Sequence, residues 1–95
     1  MDVMKSSDRY LCEAIATLLR EYRQEAGMKQ DDVAKRLRKP QSYVSKVESC
    51  ERRIDLSQLL RFLHLYGRSL VEFEKELNRA VKRESNTGED MPRTV

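Results

Sequence analysis

Few side chains in this sequence can do covalent or metal chemistry. There is one histidine, His64, and there are two cysteines, Cys12 and Cys50. One histidine cannot supply the usual ligand clusters of a zinc site. His64 stands between Leu63 and Leu65 and reads as a surface or half-buried helix residue. Cys12 lies beside an apolar stripe and reads as a small packing residue. Cys50 could sense redox state, but no partner that would activate it is evident, so it reads as an inert thiol. Two cysteines do not make a disulfide framework. The carboxylates, Asp31 and Asp32 among them, read as a charge-balanced surface with no pocket for an acid–base pair. No nucleophile stands beside a base. The expectation is a protein that is not an enzyme, holds no metal and needs no cofactor.

The remaining chemistry is charge. The 95 residues carry 19 lysines and arginines against 16 aspartates and glutamates, a net charge of +3. That balance alone says little about partners. Its distribution says more. Between Lys29 and Arg53 there are eight basic residues and four acidic ones, so that segment is +4 against +3 for the whole chain. A positive charge gathered into one stretch is the footprint of a nucleic-acid binder. No apolar run approaches the roughly 18 residues of a membrane span. The opening MDVMKSSDRY lacks the apolar core of a signal peptide, which predicts a cytoplasmic protein.

The elements that must position this charge read as helices. Glycines and prolines are few, at three and two, and strand signals are absent. The length fits one small domain. Leu11, Ile15, Leu18, Leu19, Tyr22 and Ala26 form one stripe, predicting a first helix from about Ser7 to Ala26, with Gly27 at the left-handed stop. Val33, Ala34 and Leu37 predict a second helix over Gln30–Leu37, with Asp31 and Asp32 suited to its positive N-terminus. A third helix is predicted from about Pro40 or Gln41 to Ser49, since a proline is tolerated at a helix start. Only Val44 and Val47 are clearly apolar in it. A helix with so narrow a buried stripe exposes most of its surface, as a binding helix does. Asp55 with Gln58, and Ser69 with Glu72, are capping boxes that start a fourth and a fifth helix. The fourth stops at Gly67. The fifth, with Leu70, Phe73 and Leu77 on its stripe, fades near Arg83. Residues 1–6 and 84–95 lie outside the pattern and are expected to be flexible ends.

Helix, short turn and exposed second helix between Gln30 and Glu48 make a helix-turn-helix arrangement. The stretch from Ile15 to Leu70 resembles the DNA-binding domain of the phage repressor/Cro family, also called the xenobiotic-response-element family. Leu19, Arg23, Gly27, Gln30, Val33, Ala34, Leu37, Ile54 and Leu59 carry the likeness, with PQSYVSKVE its most specific block. The resemblance implies an all-α, five-helix, lambda-repressor-like domain over residues 7–83, with its helix-turn-helix at about 30–49. It implies base contacts from Gln41, Ser42, Ser45 and Lys46, which share one helical face opposite Val44 and Val47. A glutamine can pair bidentately with adenine and a lysine can donate to guanine. It places Gln30 on a phosphate, beside a helix N-terminus that itself attracts anions. Lys39, Tyr43, Arg52 and Arg53 are further phosphate candidates. Arg23 and Glu48 fall on the family's internal ion pair.

Two positions depart from the family. Lys29 stands where Ser or Thr often caps the second helix, and it cannot cap. Cys50 stands where the family favours Gly. A left-handed backbone costs a non-glycine about 1–2 kcal/mol, so the loop carrying Arg52 and Arg53 is expected to take another path. One recognition helix reads few base pairs, which favours a homodimer on a two-fold site. Leu70, Phe73 and Leu77 are the expected dimer interface. The reading is a double-stranded DNA-binding transcriptional regulator with no membrane and no small-molecule partner. The alternative is an antitoxin or another protein-interaction module on the same fold, autoregulating its operon through a protein partner.

Overall fold

The computed structural model describes the backbone of residues 2–85 and the side chains of residues 9–81. Five helices follow one another: α1 (Asp2–Glu25), α2 (Gln30–Leu37), α3 (Gln41–Glu48), α4 (Leu56–Tyr66) and α5 (Leu70–Ser85). No strand occurs among the described residues, and the all-α class is as the sequence predicts. α1 begins at Asp2, earlier than the Ser7 expected from the apolar stripe. Extending an existing helix needs no buried periodicity, because only nucleation is costly. α5 runs on through Ser85, past the expected stop at Arg83. The rest of the expected flexible tail lies outside the described residues.

Local chemistry sets the helix ends. The Asp55 carboxylate accepts the Gln58 N–H at 2.8 Å, and the Gln58 side chain accepts the Asp55 N–H at 3.0 Å. Ser69 and Glu72 make the same reciprocal pair at 3.1 Å each way. Each satisfies two donors that a helix start leaves orphaned. At the start of α2 only half a box forms. Asp32 accepts the Lys29 N–H at 2.9 Å, while the Lys29 ammonium has no lone pair to return the bond. Gly27 and Gly67 close α1 and α4 with φ of +71°, a left-handed turn that glycine takes without steric cost.

α1 is the central strut: it packs against α3, α4 and α5, while α2 packs against α3. Leu19, Val33, Val44, Phe62 and Leu63 are the largest fully buried side chains. Each such burial contributes about 1.5–3 kcal/mol. Aromatic rings extend this core in a row. Tyr43 stacks on Phe62 with ring centroids 6.2 Å apart, and Phe62 leans on Tyr66 at the same distance. Phe73 meets Tyr22 edge-on at 6.4 Å. Phe73 is only 3% exposed, so it is a core residue of the single chain and not the surface residue a dimer interface requires. The period of α5 could not separate the two roles, because both need an apolar stripe. Leu77 packs partly against the same core, and Leu70 remains exposed.

Candidate nucleic-acid interface

Arg38, Lys39 and Pro40 connect α2 to α3. Arg38 takes a left-handed conformation, φ 59°, and the Lys39 N–H closes the turn on the Ala34 carbonyl at 2.9 Å. Pro40 then caps α3 in an extended conformation, which its ring favours. α3 divides cleanly. Tyr43, Val44, Val47 and Glu48 are buried, whereas Gln41, Ser42, Ser45 and Lys46 are exposed. Spacing of three and four residues puts the exposed set on one face. Tyr43 departs from expectation. At 7% exposure it belongs to the core, because its ring completes the stack on Phe62. Burial also raises its hydroxyl pKa.

A polar network runs from the core to this face. Arg23 on α1 donates to both oxygens of Glu48, Nε to Oε2 at 2.6 Å and Nη2 to Oε1 at 3.1 Å. Glu48 is 3% exposed, and a buried carboxylate needs such pairing. The bond to Glu48 raises the Arg23 pKa above its ordinary value. Arg23 also donates to the Met28 carbonyl at 2.9 Å. Gln30 Nε2 donates to Glu48 Oε1 at 3.0 Å, and Gln41 Nε2 donates to Gln30 Oε1 at 3.2 Å. An ionised carboxylate only accepts, so Gln30 must turn its nitrogen to Glu48 and its oxygen to Gln41. That choice fixes the Gln41 amide in turn. Beyond that bond the exposed Gln41 amide keeps an acceptor oxygen and a second N–H.

Cations flank the face. The Lys39 ammonium and the Arg52 guanidinium each lie 5.1 Å from the Tyr43 ring centroid, within the range of cation–π attraction. Lys39, Arg52 and Arg53 are all exposed. The loop after α3 does not take another path. Cys50 holds φ at 68°, the left-handed conformation glycine would adopt. The Lys46 carbonyl accepts the N–H of Glu51 at 2.8 Å and of Arg52 at 3.1 Å, closing α3 as a left-handed cap does.

Known families place this geometry. A family model described as a helix-turn-helix domain matches residues 14–75, almost two thirds of the chain. The chain belongs to the helix-turn-helix domain family. None of the curated proteins and none of the solved structures gives a significant match. The matched stretch contains α2, the short turn and α3.

The cysteines correct the sequence reading. Cys12 and Cys50 form a disulfide, with Cα atoms 5.9 Å apart across a sequence separation of 38 residues. Neither is the isolated thiol expected. The fold brings α1 beside the loop after α3, and no sequence spacing announces that meeting. Sequence reasoning also missed Arg20, which donates to the Glu48 carbonyl at 3.0 Å and so holds the end of α3. It missed the bond from Gln30 to Glu48 as well. An amide 18 residues away from a glutamate carries no sequence signal. Among the described residues no group of three histidines, cysteines or carboxylates could hold a metal ion.

Proposed function

We propose that this helix-turn-helix domain is a sequence-specific transcriptional regulator of double-stranded DNA, reading the major groove of a palindromic operator as a homodimer. The observation that carries this reading is the division of α3. Gln41, Ser42, Ser45 and Lys46 form one exposed polar face while the opposite face is locked into the core. Gln41 reads adenine, oriented by Gln30. Lys46 donates to guanine O6 and N7. Ser42 and Ser45 discriminate less sharply, since a hydroxyl both donates and accepts. Gln30, Lys39, Arg52 and Arg53 hold phosphates. Tyr43 serves through its ring, as the surface on which Lys39 and Arg52 rest.

Dimerisation would place two recognition helices about 34 Å apart, one turn of DNA. Leu70, with Leu77 and the 61% exposed Val71, offers α5 for that contact. No helix among the described residues is long and apolar enough to cross a membrane, and a DNA target favours action in the cytoplasm. The domain acts by binding and needs neither catalysis nor a cofactor.

Selection from random duplex DNA tests the reading, followed by binding of the selected duplex at several salt concentrations. The expected result is a palindromic site bound with a steep salt slope. Sedimentation with and without that duplex should give two chains per site. Only sequence-blind binding would overturn the reading and favour a protein partner on the same fold, as in an antitoxin.

A further inference from the structure

We propose that the Cys12–Cys50 bridge makes this domain a thiol redox sensor: the closed bridge holds the loop after α3 in its DNA-binding form, and reduction lowers DNA affinity. The inference rests on the DNA-binding reading above.

Position comes first. Cys12 lies on α1, the strut of the fold, and Cys50 lies two residues beyond the end of α3. The bridge is thus a covalent tie between the core and the recognition-helix loop. Cys50 is held at φ 68°, where α1 and α4 end on glycines at φ +71°. A side chain resists that conformation, and the tie to α1 opposes its relaxation. Two hydrogen bonds to the Lys46 carbonyl, from the Glu51 and Arg52 N–H groups, depend on this turn. So does the place of Arg52 over Tyr43. Once the bridge opens, Cys50 can leave the left-handed region and take Arg52 with it.

Access comes second. Cys12 and Cys50 are each half-buried. A groove of about 200 Å³ reaches Cys12 between Leu11, Ile15, Val47 and Ile54, with Arg52 and Arg53 on its wall. An attacking thiolate therefore meets positive charge beside the bridge. In the reducing compartment that the DNA-binding reading implies, disulfides are usually transient and catalytic or redox-sensing.

The exchange balances with a low-molecular-weight disulfide, RSSR, as oxidant. One cysteine thiolate attacks RSSR, forming a mixed disulfide and releasing RS⁻. The second cysteine thiolate attacks that mixed disulfide at the protein sulfur and releases the second RS⁻. The two cysteine protons end on two RSH, and two electrons pass from the cysteines to RSSR. Excess thiol reverses both steps.

The test places the full chain in glutathione buffers of graded oxidised-to-reduced ratio. Three quantities are read: free thiols, exchange of the Glu51 and Arg52 amides, and affinity for a pool of random-sequence duplex DNA. Phosphate contacts dominate binding to such a pool, so a displaced Arg52 registers without a known operator. In the wild type, reduction should free two thiols, speed amide exchange in the loop and weaken binding by about fivefold to tenfold. Cys50→Gly cannot bridge but takes the left-handed turn freely. It should bind like the oxidised wild type in every buffer. Cys50→Ser cannot bridge and keeps the steric cost, so it should bind like the reduced wild type in every buffer. Unchanged loop exchange after both thiols are freed overturns the proposal whatever the DNA does, and so does unchanged affinity. Faster loop exchange in a chain that binds no duplex in any state overturns the DNA-binding reading instead and leaves the redox-sensitive loop standing.

Discussion

Gln30 on α2 donates its side-chain amide to the Glu48 carboxylate on α3 at 3.0 Å, which joins the buried ion pair to the exposed face of α3. The network does two things at once. It neutralises a charge in the core, and it fixes the direction in which Gln41 presents its donor and acceptor. These two roles separate under mutation.

Glu48→Ala strands the Arg23 guanidinium, which is 13% exposed. Breaking a buried pair from one side costs about 3–5 kcal/mol. Small domains have about 5–15 kcal/mol in all. The variant should therefore lose DNA binding by unfolding, visible as a lower midpoint in urea. An unchanged midpoint with lost binding would show that Glu48 acts on DNA and not on the fold.

Gln30→Ala should leave the fold intact, because Gln30 is only half-buried. It frees the Gln41 amide to rotate. Selection from random duplexes should then show blurred preference at one base pair per half-site. Gln41→Ala and Lys46→Ala should each cost about 1–3 kcal/mol and relax preference at the base they read. Lys39→Ala should weaken all sequences alike and reduce the salt slope by about one. A sharpened or unaltered profile in Gln30→Ala would refute the orienting role.

Where each feature was legible follows from its range in the chain. The capping pairs Asp55–Gln58 and Ser69–Glu72 are contacts over three residues, and the bounds of α2 are given by Val33, Ala34 and Leu37. Such local signals are read directly from sequence. The polar face of α3 is legible for the same reason. What was not legible depends on helices meeting in space. The disulfide spans 38 residues. Tyr43 is hidden because Phe62 arrives from α4, and Phe73 is hidden because Tyr22 arrives from α1. An apolar residue at helical spacing declares that it will be covered, not by what. Cys50 shows a further limit. A steric rule disfavours its φ, and the tertiary bridge accompanies the exception.

Tyr66→Phe should stabilise the domain. Among the described side chains the buried Tyr66 hydroxyl has no hydrogen-bond partner, and its pKa is raised chiefly by burial. A buried polar group left unpaired costs about 1–3 kcal/mol. Removing the oxygen keeps the ring against Phe62, so the denaturation midpoint should rise by an amount worth about 1 kcal/mol. A loss of stability would mean that the hydroxyl is satisfied in solution.

Acid should weaken the start of α4. The Gln58 N–H and the Ser57 hydroxyl hold the Asp55 carboxyl below its ordinary pKa. The unfolded chain then takes up this proton at a higher pH than the folded one. The stabilisation is present above the unfolded value, near pH 3.9, and is lost as the pH falls through the folded value. Asp55→Asn keeps a capping oxygen without the titration. The stability difference between wild type and Asp55→Asn should be constant near neutrality and should shift against the wild type below about pH 4. A difference that does not vary with pH would rule out the capping carboxylate as its source.

Tyr43 separates two ways of touching DNA. If its hydroxyl held a phosphate, Tyr43→Phe would bind more weakly. The packing argues instead that its ring positions Lys39 and Arg52, both 5.1 Å from the centroid. Each exposed cation–π contact contributes about 0.5–1 kcal/mol. Tyr43→Phe retains the aromatic face and should bind as the wild type does. Tyr43→Leu removes the face from both cations and should weaken binding about tenfold, equally for every sequence. Its midpoint in urea also falls, since the stack on Phe62 is lost, so binding is compared where both variants are folded. Weaker binding by Tyr43→Phe at equal stability would return the contact to the hydroxyl.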